Sequence, residues 1–205
     1  SPDVVSQRIR TLDFLSRGEK GIVIVPLSGI QKLLVPAAVW KKSSIELAMG
    51  SEIESMDAFV EQLVELGYRR ENMVATPGEF ALRGSIVDIY PLDQEYPLRL
   101  DFFDTEVDSI RAFNAETQRS MDVINEVRIL PATDLPLQKE AVWKAQAKIH
   151  ALYEKDVKAA QSPERKDQVK NIQQAIDAQL ENAEIPSNLT YFLECIYPEK
   201  TSLLD

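Results

Sequence analysis

The sequence predicts a fold of mixed α+β and α/β class, with a central antiparallel sheet between an α/β segment and a set of C-terminal helices. Residues 21–26, Gly-Ile-Val-Ile-Val-Pro, form a short β-branched apolar run that is typical of a strand covered on both faces, and a short helix follows over 28–34. Residues 69–130 alternate strand-forming stretches with short polar turns, which predicts antiparallel hairpins. From Asp134 onwards, apolar residues recur at helical spacing.

The N-terminal part of the chain contains two further helices and a strand. Residues 3–17 carry apolar side chains at roughly helical spacing, and Gly18 ends that helix. A strand is predicted over 44–49. The pattern over 55–66 is that of a strongly amphipathic helix, and Gly67 supplies its C-terminal stop.

The strand-rich centre divides at its turn residues. Turns or loops are predicted at 77–78, 91–95, 104–105 and 115–120, where glycine, proline and short polar residues interrupt the apolar pattern. One strand begins at Arg69, and the others are predicted over 80–90, 98–103, 107–113 and 122–130.

Two long helices and a short one account for the C-terminal region. The apolar stripe of the first consists of Val142, Ala145, Ile149, Leu152 and Tyr153. Ser162 is a predicted N-cap, with Pro163 at the first helical position of the second helix. That helix extends through Ala183 and ends before Pro186, and residues 188–196 favour a further short helix.

The composition of the chain weakens several classes of function. Its 205 residues carry a net charge of −10 at pH 7, whereas binding to duplex DNA depends on lysine and arginine. The charge balance therefore favours protein partners. No apolar run approaches the roughly 18 residues that span a membrane. The single cysteine, Cys195, suits a reducing compartment, so we expect a cytoplasmic protein with no membrane partner.

Motifs for catalysis are absent from the sequence. It contains neither the phosphate-binding pattern G-x-x-x-x-G-K-[ST] nor G-x-G-x-x-G. One histidine, His150, and one cysteine do not supply a usual zinc site. A carboxylate cluster lies on either side of a hairpin turn and consists of Asp101, Asp104, Glu106 and Asp108. The turn sends these groups in different directions, which favours a solvated tip over a metal-dependent hydrolase. We therefore predict no catalytic residue, no metal and no cofactor.

The predicted strand over 98–103 has two unlike faces, because alternate side chains of a strand point to opposite sides. One face carries Leu98, Leu100 and Phe102, and the other carries Arg99, Asp101 and Phe103. The apolar set forms a core face. Arginine and aromatic residues dominate protein interfaces, so the second set is a candidate docking surface. The alternative is that Phe103 tucks under a neighbouring loop and the two charges are merely solvated.

Further arginines extend this face if their strands lie beside it. Arg83 precedes Gly84, which suggests a bulge or a close backbone approach that re-aims the arginine. If the two strands are neighbours, Arg83 and Arg99 share a face. Arg69 and Arg70 begin the preceding strand and extend the set. The same arginines form a local basic strip, so a DNA-binding module is the alternative to protein docking.

Two stretches of this region resemble a known family. Residues 78–91 read Gly-Glu-Phe-Ala-Leu-Arg-Gly-Ser-Ile-Val-Asp-Ile-Tyr-Pro, and residues 98–111 read Leu-Arg-Leu-Asp-Phe-Phe-Asp-Thr-Glu-Val-Asp-Ser-Ile-Arg. Together they resemble the interaction domain shared by the excision-repair protein UvrB and the bacterial transcription-repair coupling factors. The flanks are similar to the coupling factors too: residues 1–15 and 22–26 before this region, and residues 129–132 after it. UvrB has an additional arginine where this chain has Ala81.

The resemblance implies a domain arrangement. An α+β interaction domain is inserted into a truncated UvrB-like α/β domain. The implied limits are 1–36 for the end of the α/β subdomain, 37–116 for the interaction domain, and 117–205 for the helix-rich second part of the α/β subdomain.

The resemblance also implies a function. In the family this domain binds UvrA, and the positions implicated match Arg83, Arg99 and Phe103, with Asp101 and Arg70 as weaker carry-overs. The chain is then a non-catalytic module that recruits UvrA where RNA polymerase has stalled at a lesion. ATP, magnesium, RNA polymerase and DNA are bound by other domains of the parent, an ATP-dependent DNA translocase, and the module also contacts those domains. The alternative is a DNA-binding module of a UvrB-type repair protein.

Overall fold

The structure, a computed structural model, describes residues 2–30, 33–181, 192–199 and 201–202. Its helices are α1 (Pro2–Ser16), α2 (Leu27–Ile30), α3 (Ala37–Lys41), α4 (Met56–Glu65), α5 (Lys139–Ala159), α6 (Pro163–Glu181) and α7 (Leu193–Ile196). Its strands are β1 (Ile45–Ala48), β2 (Arg69–Arg70), β3 (Glu79–Arg83), β4 (Ile86–Ile89), β5 (Leu98–Phe103), β6 (Glu106–Phe113), β7 (Ser120–Val123) and β8 (Glu126–Ile129). The predicted mixture of α and β structure is confirmed.

The chain divides into two compact units. The first comprises residues 1–24 and 37–136 and contains all the strands named above. The second comprises residues 25–36 and 137–205 and contains α2 together with α5, α6 and α7. The domain limits implied by the resemblance stay a prediction.

The strands of the first unit form two sheets. The larger sheet has six strands in the order β2-β3-β4-β5-β6-β7, and the smaller sheet pairs β1 with β8. Neighbours from β3 to β7 are antiparallel, as the hairpin pattern predicts, whereas β2 runs parallel to β3. Consecutive strands lie side by side in the larger sheet because short turns connect them. The turn at Asp104-Thr105 is an example, and Asp104 adopts a positive φ of 58° there.

Helix α4 covers one face of the larger sheet and forms the main core with it. The side chain of Ser55 caps the helix by accepting the N–H of Ala58 at 3.1 Å, and Gly67 follows the helix with a φ of 87°. The rings of Phe59 and Phe102 lie 5.6 Å apart at the contact between helix and sheet. Full burial of one such side chain contributes about 1.5–3 kcal/mol, so this face supplies much of the stability of the unit.

Two strand predictions are wrong in their limits. The run over 80–90 is two strands, because Gly84 and Ser85 form a two-residue hairpin turn between Arg83 and Ile86. Gly84 has a φ of 64°, a conformation that such turns favour for glycine, so it marks a turn and not a bulge. The run over 122–130 also divides, since β7 pairs with β6 and β8 pairs with β1.

Residues 21–26 form no strand, so the expectation of a strand covered on both faces is wrong for this chain. The side chains of Ile22 and Ile24 are 93% and 92% exposed. A β-branched run becomes a strand only when a neighbour satisfies its backbone groups, and within the described part of the chain nothing pairs with it. The helix that follows, α2, is shorter than the predicted 28–34, and α3 lies where no helix is predicted.

Helices α5 and α6 are the main elements of the second unit. Of the predicted stripe on α5, all members are buried except Leu152, which is 41% exposed. The Oγ of Ser162 accepts the N–H of Arg165 at 3.3 Å, as predicted for an N-cap. His150 of α5 contacts Asp177 of α6 through Nε2 at 2.7 Å, so the histidine joins two helices.

The last part of the chain is described only in pieces. Ala183, Pro186 and residues 188–191 lie outside the described residues, and α7 covers only the end of the short helix predicted over 188–196. Cys195 on α7 is half-buried. Across the described ranges, no helix is long and apolar enough to cross a membrane.

Candidate docking face

The face of the larger sheet that does not carry the main core presents four of the five predicted docking residues, all except Arg70. We call it the arginine face and define it by Arg83, Asp88, Arg99, Asp101 and Phe103; the opposite side is the core face. Strand register places Asp88 directly opposite Arg99 on the neighbouring strand. The predicted sharing of one face by Arg83 and Arg99 is confirmed. Their strands are not neighbours, however, because β4 lies between β3 and β5.

Asp88 lies at the centre of the arginine face and is only 1% exposed. Its Oδ1 accepts from Nε of Arg99 at 2.6 Å, and its Oδ2 accepts from Nη2 of the same arginine at 2.8 Å. Its Oδ2 also accepts from Nη2 of Arg83. A buried carboxylate is unfavourable unless it is paired and hydrogen-bonded, and two guanidinium groups meet that requirement here.

Arg99 is held from several directions. Its guanidinium lies 4.5 Å from the centre of the Phe113 ring, in a cation–π contact. Its Nη1 and Nη2 also donate to the backbone and side-chain oxygens of Gln118, at 3.5 and 3.4 Å. The hydrogen bonds that Arg99 donates to Asp88 raise the pKa of Arg99 and outweigh the opposing effect of burial. Arg99 is therefore a fixed cation, and its side chain is only 19% exposed.

One half of the arginine face is covered by a small second core. Val74, Ala81 and Phe113 are buried there, and Tyr90 packs against them. Gln118 closes this core by donating from Nε2 to the carbonyl of Val74 at 3.3 Å. Polar and apolar groups thus share this half, and the second core supports the ring on which Arg99 lies.

Glu79 anchors the loop that covers this half. Its Oε2 accepts the N–H groups of Ala75 and Thr76, each at 2.9 Å, and its Oε1 accepts the hydroxyl of Thr76 at 2.7 Å. Burial opposes ionisation of Glu79, but these hydrogen bonds and the charge of Arg69 prevail, so the pKa of Glu79 is lowered.

The other half of the arginine face is open to solvent. The side chain of Arg83 is 47% exposed, and Phe103 is 79% exposed. The exposed interpretation of Phe103 is therefore confirmed, and the alternative that it tucks under a loop is wrong. Asp101 is half-buried on the same face. An arginine and an exposed aromatic ring on a rigid sheet are groups that dominate protein interfaces.

Arg70 is not brought together with these residues. The parallel register of β2 pairs Arg70 with Phe80, which points to the core face, and pairs Arg69 with Glu79, which points to the arginine face. Both arginines are exposed at the edge of the sheet. Of the two arginines that the sequence adds to this face, Arg69 therefore lies on the arginine face and Arg70 does not. The role in docking that the resemblance implies for Arg70 stays a prediction.

The main residues that sequence reasoning missed are Asp88, Phe113 and Gln118. Asp88 interrupts an otherwise apolar run, Ile-Val-Asp-Ile, and a charge inside a buried strand is a signal that could have found it. Arg111 was missed as well. It is exposed and directly opposite Arg99 on β6. Cross-strand register places Asp88 and Arg111 opposite Arg99, and the loop between β6 and β7 brings Gln118 to it, and the pattern of a single strand contains neither.

The hairpin carboxylates outside the arginine face point into solvent. Asp104, Glu106 and Asp108 are exposed. In the part of the chain that the structure describes, no three histidine, cysteine, aspartate or glutamate side chains are grouped as a metal site requires.

Comparison with known proteins places the larger sheet in a defined class, that of UvrB interaction domains. Residues 45–135 match the family model of the UvrB interaction domain. The transcription-repair-coupling factor of Staphylococcus epidermidis is 49% identical over 154 residues, which cover 75% of this chain and 13% of that protein. The protein of the same name from Bacillus subtilis is 37% identical over 205 residues, which cover 100% of this chain and 17% of that protein.

The similarity extends through both units of the chain. The chain is homologous over its whole length to a segment of the transcription-repair-coupling factors, and that segment contains the UvrB interaction domain. It spans 13% to 17% of the length of the curated relatives named above.

Proposed function

We propose that this chain is the non-catalytic module through which a transcription-repair-coupling factor recruits UvrA where RNA polymerase has stalled at a lesion. The observation that carries the proposal is the open half of the arginine face. Phe103 is 79% exposed there, on the same face as two arginines that a buried carboxylate holds, inside the segment that matches the UvrB interaction domain. Protein interfaces rely on anchors of these types.

The remaining activities of the parent protein are assigned to its other parts. We propose that ATP, magnesium, RNA polymerase and DNA are bound outside this chain, and that the module also contacts those other domains. Direct DNA binding by the arginine face is disfavoured on charge. The net charge of the chain is −10, and Asp88 already pairs with two of the arginines that would contact phosphates.

The test is a titration of the 205-residue chain with UvrA. The dissociation constant is measured by calorimetry or by binding to UvrA that is immobilised on a surface. We expect Phe103→Ala and Arg83→Ala each to weaken binding by roughly thirtyfold, the size of an interface hot spot. Trp143→Ala and Arg165→Ala are matched controls, because both side chains are exposed and lie in the second unit.

The controls should bind like the wild type, and the thermal unfolding of both test variants should stay close to it. Wild-type affinity in both test variants, or no binding by the wild-type chain, would contradict the proposed function. A low-salt gel shift with duplex DNA tests the alternative, and we expect no complex.

A further inference from the structure

We infer that Asp88 is a positioning residue for docking: its buried carboxylate holds the half-exposed guanidinium of Arg83 in place before the partner arrives. This inference deepens the proposed function and rests on it. The chemistry that would recognise the site is a carboxylate of the partner beside an apolar pocket, because Arg83 and Phe103 present a cation and a ring to solvent on one face.

Stability alone does not explain a charge in the position of Asp88. Its strand neighbours Val87 and Ile89 are buried and apolar, and Asp88 is itself only 1% exposed. Replacing a buried ion pair with apolar residues of similar volume is often neutral or stabilising. A carboxylate at the centre of a sheet therefore points to a requirement for the geometry it imposes.

Asp88 holds its two arginines to different extents. Arg99 has further contacts with Phe113 and Gln118, and its side chain is 19% exposed. Arg83 is 47% exposed, and its ion pair is with Oδ2 of Asp88. That oxygen also accepts from Nη2 of Arg99 at 2.8 Å. Arg99 thus fixes the carboxylate, and the carboxylate fixes Arg83.

This order has a consequence for affinity. A free arginine side chain loses rotamer entropy when a partner immobilises it, and an ordered one has already lost much of it. Asp88 therefore favours binding through preorganisation, although its own negative charge opposes the approach of a partner carboxylate. The two effects predict opposite changes in affinity when the charge of Asp88 is removed. Loss of positioning weakens binding, whereas loss of the repulsion between Asp88 and a partner carboxylate strengthens it.

The experiment is the variant Asp88→Asn in the 205-residue chain, titrated with UvrA. Asparagine has nearly the same shape, but it removes the negative charge and replaces one acceptor oxygen with a donor. If Asp88 positions Arg83, binding should weaken by roughly three- to tenfold, the scale expected for ordering one flexible side chain on binding. The matched control is Asp167→Asn, an exposed position on α6, which should bind like the wild type.

A second arm separates positioning from a general loss of structure. Asp88→Asn in an Arg83→Ala background should cost less than about twofold in affinity, because the residue through which it acts is gone. If Asp88→Asn weakens binding in the Arg83→Ala background as much as it does in the wild-type chain, the inference is overturned. Unchanged or tighter binding by Asp88→Asn alone would also overturn it.

A third variant keeps the inference testable if Asp88→Asn does not fold. Arg83→Lys retains the charge but loses the planar fork that pairs with a carboxylate, so it should also bind more weakly. Wild-type affinity for Arg83→Lys would overturn the inference. Absence of UvrA binding by the wild-type chain would instead overturn the proposed function, so the two failures are distinguishable.

Discussion

The two faces of the larger sheet are built differently, although they share the same strands. On the core face, Leu100 and Phe102 pack with α4 in an apolar core. On the arginine face, Asp88 and Arg99 form a charged network that covers only part of the sheet. Many interchangeable apolar contacts maintain the first face, whereas the second depends on one buried carboxylate. Stability and the proposed recognition of a partner are thus assigned to opposite sides of one sheet.

The largest effect should come from the core face. Leu100 is fully buried, so we expect Leu100→Ala to lower the free energy of unfolding by about 2–5 kcal/mol through lost burial and a cavity. The measurement is urea-induced unfolding followed by circular dichroism. A loss below about 1 kcal/mol would contradict the assignment of stability to this face.

An intermediate effect should come from the neighbouring residue on the opposite face. We expect Arg99→Ala to lower the free energy of unfolding by about 1–3 kcal/mol, because Asp88 loses two hydrogen bonds but keeps that from Arg83. The same urea titration measures it. If Arg99→Ala lowers the free energy of unfolding as much as Leu100→Ala does, the proposed difference between the two faces is contradicted.

The smallest effect should come from Glu79 and should depend on pH. The folded pKa of Glu79 is lowered, so its contribution is fully present above the unfolded value of about 4.3 and is lost as pH falls through the folded pKa. We expect Glu79→Gln to cost about 1 kcal/mol at neutral pH, since hydrogen bonds to the loop weaken.

Urea titrations at stepped pH measure this effect. The gap between wild type and Glu79→Gln should close in acid, below the ordinary pKa of glutamate. A gap that stays constant down to the lowest pH would show that ionisation of Glu79 does not anchor the loop.

The best sequence predictions were those that depend on local pattern. Strand β5 has the predicted limits 98–103, and the predicted turn at Asp104-Thr105 follows it. Its alternating pattern correctly separates the side chains that point to the core from those on the opposite face. The apolar period of 55–66 likewise predicted α4 to within a residue at each end. In these segments the pattern along the chain and the tertiary environment agree.

The features that escaped prediction depend on partners elsewhere in the chain. The run over 122–130 looks uniform, yet its halves pair with different strands, β6 and β1. Residues 21–26 have strand composition, but none of the strands that the structure describes pairs with them. The contacts of Asp88 were missed for the same reason, because they depend on which strand lies next to β4.

The pairing of β1 with β8 has a consequence for folding. Ile45 lies opposite Ile129, so two segments far apart in sequence meet in one ladder. Contacts of such long sequence separation form slowly, because the chain between them has to be closed into a loop first. We expect the hairpins from β3 to β7 to assemble before this ladder closes. The β1–β8 ladder is then the last part of the first unit to form. A pulling force applied at Ile45 and Ile129 would separate this ladder before it disrupts the larger sheet.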